Sequence, residues 1–402
     1  MQPPRAEKPS ASAPAAAGPS EQCYEITHDT TYRYASPVLL SQQIAHLSPR
    51  AMPRQRLFAH RLAISPEPST RSERLDFFGN PTTRFGLYVP HERLSVQAVS
   101  VVGVQTQDWP EPAQSLPWEA ARDHLRDALS GHAPLQVDAR DAGQYRFASP
   151  FVQLGEETAT YAAYAARCFT PGRPLLEAAQ ALSSLIHAEF RFDPAATSVA
   201  TPVAEVFAER HGVCQDFSHL MIACLRALGL AARYLSGYLL TEPPPGQSRL
   251  IGADASHAWV AVWCPGIGWV EFDPTNAVQP AQGHVTLAWP GAGLGRSRSD
   301  QRPRRACRAR GARLGPRLRR CLAAARRDPG RCQPCRGRRG DGDAGSAPGI
   351  RRTPCTSMMH RMPGWCAPVG GVPADCADVR YSARVRTLGT LSAVVARKGA
   401  RQ

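Results

Sequence analysis

The chain has no apolar run long enough to span a bilayer. Its first twenty residues are rich in Ala, Pro and Ser and lack an apolar stretch, which argues against a secretory signal peptide. They read as a disordered lead on a cytoplasmic protein that does not enter a membrane. Residues 1–289 contain only five scattered cysteines, too few and too irregular for a disulfide framework, as suits a reducing compartment. There is no calcium-loop motif, and Cys332-Gln333-Pro334-Cys335 is a single pair without a second pair at zinc-site spacing. No metal or other cofactor is therefore expected. No Trp occurs between Trp118 and Trp259, and residues 290–402 contain neither Glu nor Phe.

Charge is unevenly placed. The formal net charge is +15, yet residues 290–402 carry 26 Arg and Lys against 6 Asp, so the rest of the chain is mildly acidic. A 402-residue chain can bury a core and divides into two or three domains. Five segments follow from pattern: a lead at 1–20, a β-rich domain at 21–105, a helical linker at 106–144, an α+β core at 145–289 and an Arg-rich tail at 290–402.

In the β-rich segment, Cys23 to His28 and Thr31 to Tyr34 read as strands joined by a short polar turn. Leu57 to Ile64 and Leu94 to Val104 are further strands, and Asp76 to Pro81 is turn chemistry. His28, His46 and His91 read as surface or strand histidines without a catalytic role. Pro-rich 109–117 leads into a helix from Trp118 to Leu129, stopped by Gly131. Tyr145 to Phe151 could form a short strand. Helices are expected from Glu157 to Cys168, from Pro174 to Phe190, and after Thr201-Pro202. The period then changes to strands at Ala232 to Leu240, His257 to Trp263 and Gly268 to Phe272. Helices first and antiparallel strands after indicate an α+β domain.

The chemistry gathers around His211-Gly212-Val213-Cys214-Gln215-Asp216-Phe217. From Cys214 the apolar residues Phe217, Leu220, Met221, Cys224, Leu225 and Leu228 keep helical spacing, and Gly229 ends the helix. Cys214 thus falls in the first turn, where free N–H groups and the positive end of the dipole favour a thiolate. Cys224 lies on the apolar stripe and reads as core. His219 is about 140° round the helix from Cys214 and is a poor partner for it. A thiol nucleophile needs an imidazole, and the imidazole needs an acceptor. His257 opens one predicted strand and Asp273 ends the next, so two adjacent antiparallel strands can bring them together at one end. Trp259, Trp263 and Trp269 read as packing, and His211 as an exposed residue near the groove.

Gly212 to Phe217, then Ser256-His257-Ala258-Trp259, then Phe272-Asp273-Pro274-Thr275-Asn276, resemble in order the motifs of the bacterial transglutaminase-like family, whose core is related to the papain-like cysteine peptidases. Upstream, Ser48-Pro49-Arg50, Asp76 to Asn80 and Pro90-His91 are similar to the N-terminal region that precedes this core. The resemblance implies Cys214 as nucleophile, His257 as general base and acid, Asp273 as its orienting group, and Asp216 as a structural acid after the nucleophile. It implies a cysteine protease, amidase or transglutaminase acting on a peptide or protein substrate. The Cys214 backbone N–H is the natural first oxyanion donor; the second is a backbone group or a polar side chain.

The resemblance continues through Gly283 to Trp289 and stops, although members of the family usually carry a further β segment. The tail is expected to be largely disordered, or an out-of-frame translation of a GC-rich gene. The other reading of the tail is a basic arm that binds nucleic acid non-specifically through phosphates. A non-catalytic interaction scaffold with such an arm is the alternative to an enzyme.

Overall fold

The computed structural model describes residues 20–130, 137–197, 201–241, 246, 250–252, 256–289, 366–368 and 376–390. The chain divides into two compact units, residues 1–297 with 356–402, and residues 298–355, the second lying outside the described residues. None of the described helices is long and apolar enough to cross a membrane.

Six strands open the chain: β1 (Glu21–Val38), β2 (Ser41–Ala45), β3 (Gln55–Ser65), β4 (Thr70–Leu75), β5 (Pro81–Leu87) and β6 (His91–Gln105). Strict alternation buries Tyr24, Ile26, His28, Thr30 and Tyr32 of β1 and Leu94, Val96, Ala98, Ser100, Val102 and Val104 of β6. Asp29 and Thr30, expected to form a turn, instead lie mid-strand opposite Gln97 and Val96. Pairing on both edges of β1 overrides their turn preference. Gln97 Nε2 also donates to Asp29 Oδ1 across the strands at 2.7 Å.

Two strands of the tail complete these sheets. β13 (Cys366–Pro368) pairs with β2, and β14 (Cys376–Thr390) pairs with β1 along most of its length. Val379, Ala383 and Val385 enter the sandwich core. The tail, expected to be largely disordered, carries these two strands; its remainder lies outside the described residues. The Arg-rich composition hid a short period-2 run, Val379, Ala383 and Val385, that only a strand partner gives a use. The orders are β14-β1-β6-β3 and, with β5 central, β13-β2-β5-β4.

Helices α1 (Trp118–Ser130) and α2 (Val137–Gly143), placed in the expected linker, pack on the core through Leu125, Ala128, Ala139 and Ala142 against Ala231 and Trp263. Tyr145, expected in a short strand, sits in a single 3-10 turn with its ring against Phe78 and Trp269, packing that holds it out of a sheet. Next come α3 (Thr158–Ala166), α4 (Leu175–Glu189), the two-residue strand β7 (Arg191–Phe192), α5 (Val203–Glu209), the two-residue strand β8 (His211–Gly212) and α6 (Cys214–Ala227). The closing sheet has β9 (Ala232–Leu239), β10 (Ser256–Cys264), β11 (Gly268–Phe272) and β12 (His284–Ala288) in the order β11-β10-β9-β12, all antiparallel. The fold is α+β, as the change of period predicts.

α6 is central. Phe217, Leu220, Met221, Cys224 and Leu225 pack with Val260, Val262 and Phe272 of the sheet and Leu182 and Ile186 of α4 in one apolar cluster. Each such fully buried side chain contributes about 1.5–3 kcal/mol. The opposite face of β10 carries His257, Trp259 and Ala261. The sandwich packs against this sheet, and Tyr238, Val285 and Leu287 belong to its apolar cluster.

Candidate active site

The first turn of α6 is built by Asp216. Its Oδ2 accepts the Val213 backbone N–H at 2.8 Å and the Thr197 hydroxyl at 2.5 Å. This is half of a capping box, since Val213 has no side-chain acceptor to return. Gly212 is required beside it, because a Cβ there would lie 2.7 Å from Asp216 Oδ2. Asp216 is thus buried and structural, and it fixes Cys214 as the first helical residue. The Ser218 hydroxyl donates to the Cys214 carbonyl at 2.7 Å, holding the same turn from below.

His257 enters from β10 opposite Gly237 of β9, and Asp273 follows the last residue of β11. His257 Nε2 lies 2.8 Å from Asp273 Oδ2, and both side chains are fully buried. Asp273 is held by five N–H groups. Oδ1 accepts the backbone N–H groups of Thr275 (2.9 Å) and Asn276 (3.3 Å). Oδ2 accepts Asn276 Nδ2 at 2.8 Å and faces His284 Nε2 at 3.4 Å, besides His257. With Nε2 engaged by the carboxylate, the other ring nitrogen of His257, Nδ1, has no nitrogen or oxygen partner among the described residues; the ring's remaining hydrogen-bond partner is the Cys214 side chain.

The electrostatics follow. Burial alone would push the His257 imidazole down, but the Asp273 carboxylate and the Cys214 sulfur outweigh it and hold it up at about 10. Burial would raise Asp273, but its ion pair with His257 and the His284 bond hold it far below the usual carboxylate range. His284 is pushed down by burial, which the Asp273 bond only partly offsets. Cys214 itself is buried, 3 % exposed.

The structure places His257 between the Asp273 carboxylate and the Cys214 side chain. His284 was missed. Its ring stands edge-on to Trp259, with centroids 5.3 Å apart, and the only sequence signal was a histidine in an apolar strand. Trp259 stacks beneath His257 (6.1 Å, 23°), and its Nε1 donates to Glu271 Oε2, which also binds Arg54 of the sandwich at 2.6 Å. His211 is half-buried and lies 3.1 Å from Glu209. His219 stacks on Phe151 at 5.7 Å and leans on Tyr234. His28 and His91 lie in strands β1 and β6, and they and His46 are buried. His28 accepts or donates at Tyr238 and Thr30, and His91 bonds the Val89 carbonyl, so each is used in packing.

Donor atoms of His257, Asp273 and His284 lie within 4.8 Å of one another, a spacing that could hold a metal ion. The 2.8 Å His257–Asp273 separation is a hydrogen bond, and both Asp273 oxygens already accept N–H donors, so the set is organised around protons. The five cysteines of 1–289 are all free and buried.

Residues 24–103 match the bacterial transglutaminase-like N-terminal region, and residues 162–274 match the transglutaminase-like superfamily. An uncharacterized protein of Mycobacterium tuberculosis is 40% identical over 293 residues, covering 70% of this chain and 86% of its own length. An uncharacterized Mycobacterium leprae protein is 30% identical over 287 residues, covering 69% and 90%. A protein-glutamine gamma-glutamyltransferase of Pseudomonas aeruginosa is 34% identical over 109 residues, 25% of this chain and 16% of that protein. The crystal structure of a candidate cysteine protease from Cytophaga hutchinsonii shares the fold, with a TM-score of 0.52 at 22% identity over 68% of this chain and 82% of that one. The two family regions, met in order along one chain, and its similarity to the mycobacterial proteins over most of their length establish that it belongs to the transglutaminase-like superfamily, with the bacterial N-terminal region ahead of the core.

Proposed function

We propose that this chain is a thiol-dependent acyl-transfer enzyme acting on peptide or protein amides, with Cys214 as nucleophile, His257 as general base and acid, and Asp273 as the group that orients His257. The observation that carries the reading is the fully buried Asp273–His257 pair set against a cysteine in the first turn of α6. Burying a charged pair costs several kcal/mol per ion before the partners repay it. Such a cost at the first turn of a helix, beside a thiol, is the mark of a functional site.

The Cys214 thiol gives its proton to His257 Nδ1, the sulfur attacks the carboxamide carbon, and the carbonyl electron pair moves onto oxygen beside the Cys214 backbone N–H and the positive end of α6. The tetrahedral adduct collapses, the C–N bond breaks, and His257 Nδ1 gives its proton to the departing amine. A thioester on Cys214 remains. An incoming nucleophile then gives its proton to His257 and displaces the sulfur. We propose water as that nucleophile, which makes the reaction hydrolysis; a primary amine in its place gives transamidation.

The test is alkylation of Cys214 by iodoacetamide, located by mass. Near pH 6, wild type is expected to react at least about tenfold faster than His257→Ala, since a free thiol is mostly protonated there. A rate unchanged by His257→Ala overturns the enzymatic reading and leaves a binding scaffold. Release of free amine from peptide amides, with and without added primary amines, then separates hydrolysis from transfer.

A further inference from the structure

We infer that Asn276 is a positioning residue that couples the Asp273–His257 pair to the loop at Ile251–Gly252, setting that loop against the edge of His257 that faces the nucleophile; this rests on the proposed acyl-transfer reading.

The Asn276 side-chain amide is used in full. Nδ2 donates to Asp273 Oδ2 at 2.8 Å and to the Ile251 carbonyl at 3.3 Å, and Oδ1 accepts the Ile251 backbone N–H at 2.8 Å. Its orientation is fixed by charge, because the flipped amide would set an oxygen against a carboxylate. The next residue is Gly252, with φ +90°, where a Cβ would stand 2.8 Å from His257 Nδ1 and 3.4 Å from Cε1. Nδ1 is the nitrogen left over for Cys214. One amide therefore grips the carboxylate behind the ring and the loop in front of it. Gly252 supplies both the left-handed backbone and the clearance beside His257 Nδ1 that a side chain would remove.

A new carboxyl at 276 gives a signature that packing alone does not. Protonated, it donates to Asp273 and restores the bond; ionised, it stands against a second carboxylate. The charged and titratable groups around it are Asp273 on its own turn, His257 on β10, His284 on β12, Glu271 on β11, Cys214 on α6, and His187 of α4, whose Nδ1 lies 2.8 Å from the Thr275 carbonyl.

The experiment follows iodoacetamide labelling of Cys214 in the full chain for wild type, Asn276→Asp, Asn276→Ala and Gly252→Ala, with melting curves to establish folding. Wild-type labelling must first depend on His257; if it does not, the acyl-transfer reading itself fails. Given that dependence, Asn276→Asp is expected to label within about twofold of wild type near pH 5 and at least about tenfold more slowly near pH 8. A ratio that stays flat across this range overturns the inference. Gly252→Ala is expected to slow labelling equally at both pH values, and wild-type rates at both would overturn the role of the loop. Should Asn276→Asp not fold, Asn276→Ala carries the test through the imidazole NMR titration of His257. Its midpoint is expected to fall by about one pH unit or more as the carboxylate loosens, and an unchanged midpoint overturns the coupling.

Discussion

Asp273 shows how much one side chain can organise. It is fully buried, it holds His257 at 2.8 Å, and its two oxygens face five N–H groups. Asp273→Asn would keep the shape but remove the charge that outweighs burial at His257. The proposed amide cleavage should then fall by about 10³–10⁴ in kcat, with folding retained, because a neutral amide no longer fixes the imidazole tautomer or steadies its cation. Parallel kinetics and melting curves check this; a loss of less than about tenfold would remove Asp273 from the proposed machinery. Cys214, His257 and Asp273 were legible because each sits in its own short motif. His284 and Asn276 were not assigned roles, because their use depends on an oxygen and a loop that the chain brings to them only after β11 and β12 have paired into one sheet.

At the scale of elements, the start of α6 depends on Asp216. Asp216→Ala would leave the Val213 N–H and the Thr197 hydroxyl without this acceptor inside the protein. A lost cap costs about 1 kcal/mol and an unpaired buried donor about 1–3 more, so a loss of about 2–4 kcal/mol is expected. Urea midpoints measure it, and a change under about 0.5 kcal/mol would show that the turn is held by other means. β12 has a comparable clip from outside its own sheet. The Gln55 amide donates to the Thr286 carbonyl at 2.7 Å and accepts its N–H at 2.8 Å, so a side chain satisfies the edge of a strand. The helix start was readable from Gly212, Cys214 and the apolar spacing. The Gln55 clip was not, since its two partners are 231 residues apart.

At the scale of the molecule, the sandwich and the core share buried polar contacts as well as apolar ones. Arg50 lies over Trp289 at 3.7 Å, and Arg233 covers the same indole at 4.1 Å. Arg50 also donates to the Phe78 carbonyl and Asn80 Oδ1, which explains why the Asp76 to Asn80 turn sits where it does. His28 is fully enclosed between Tyr238 and Thr30, and burial pushes it down to about 4. Its neutral form is the folded one, so its contribution is present above the ordinary value of 6.5 and is lost as pH falls towards 4. Near pH 4.5 the loss should be about 2–3 kcal/mol, and His28→Gln should flatten it. His257 acts in the opposite direction: its stabilisation is present below 6.5 and is lost as pH rises through about 10. Stability by denaturant titration should therefore be greatest near neutral pH, and a curve still rising below pH 5 would contradict the placing of His28. A chain ending at residue 289 would uncover the edge of β1 and lose the burial of Val379, Ala383 and Val385. It should be less stable by about 3 kcal/mol or more, or aggregate through that edge. Equal stability of the two chains would show that β14 adds nothing.

The sequence alone determined the α+β class, the order of the two regions, the helix that presents Cys214, and the motifs that carry His257 and Asp273. These depend on local signals: apolar period, turn residues, and motifs a few residues long. Tertiary structure decided the rest. It made β1 a single strand through Asp29-Thr30, drew residues 366–368 and 376–390 into the two sheets of the sandwich, and gave Asp273 its partners His284 and Asn276. In each case the deciding partner lies on another strand or loop. A strand's edge, a buried carboxylate and a cluster of apolar side chains acquire their energies only when a distant segment pairs with them and excludes water.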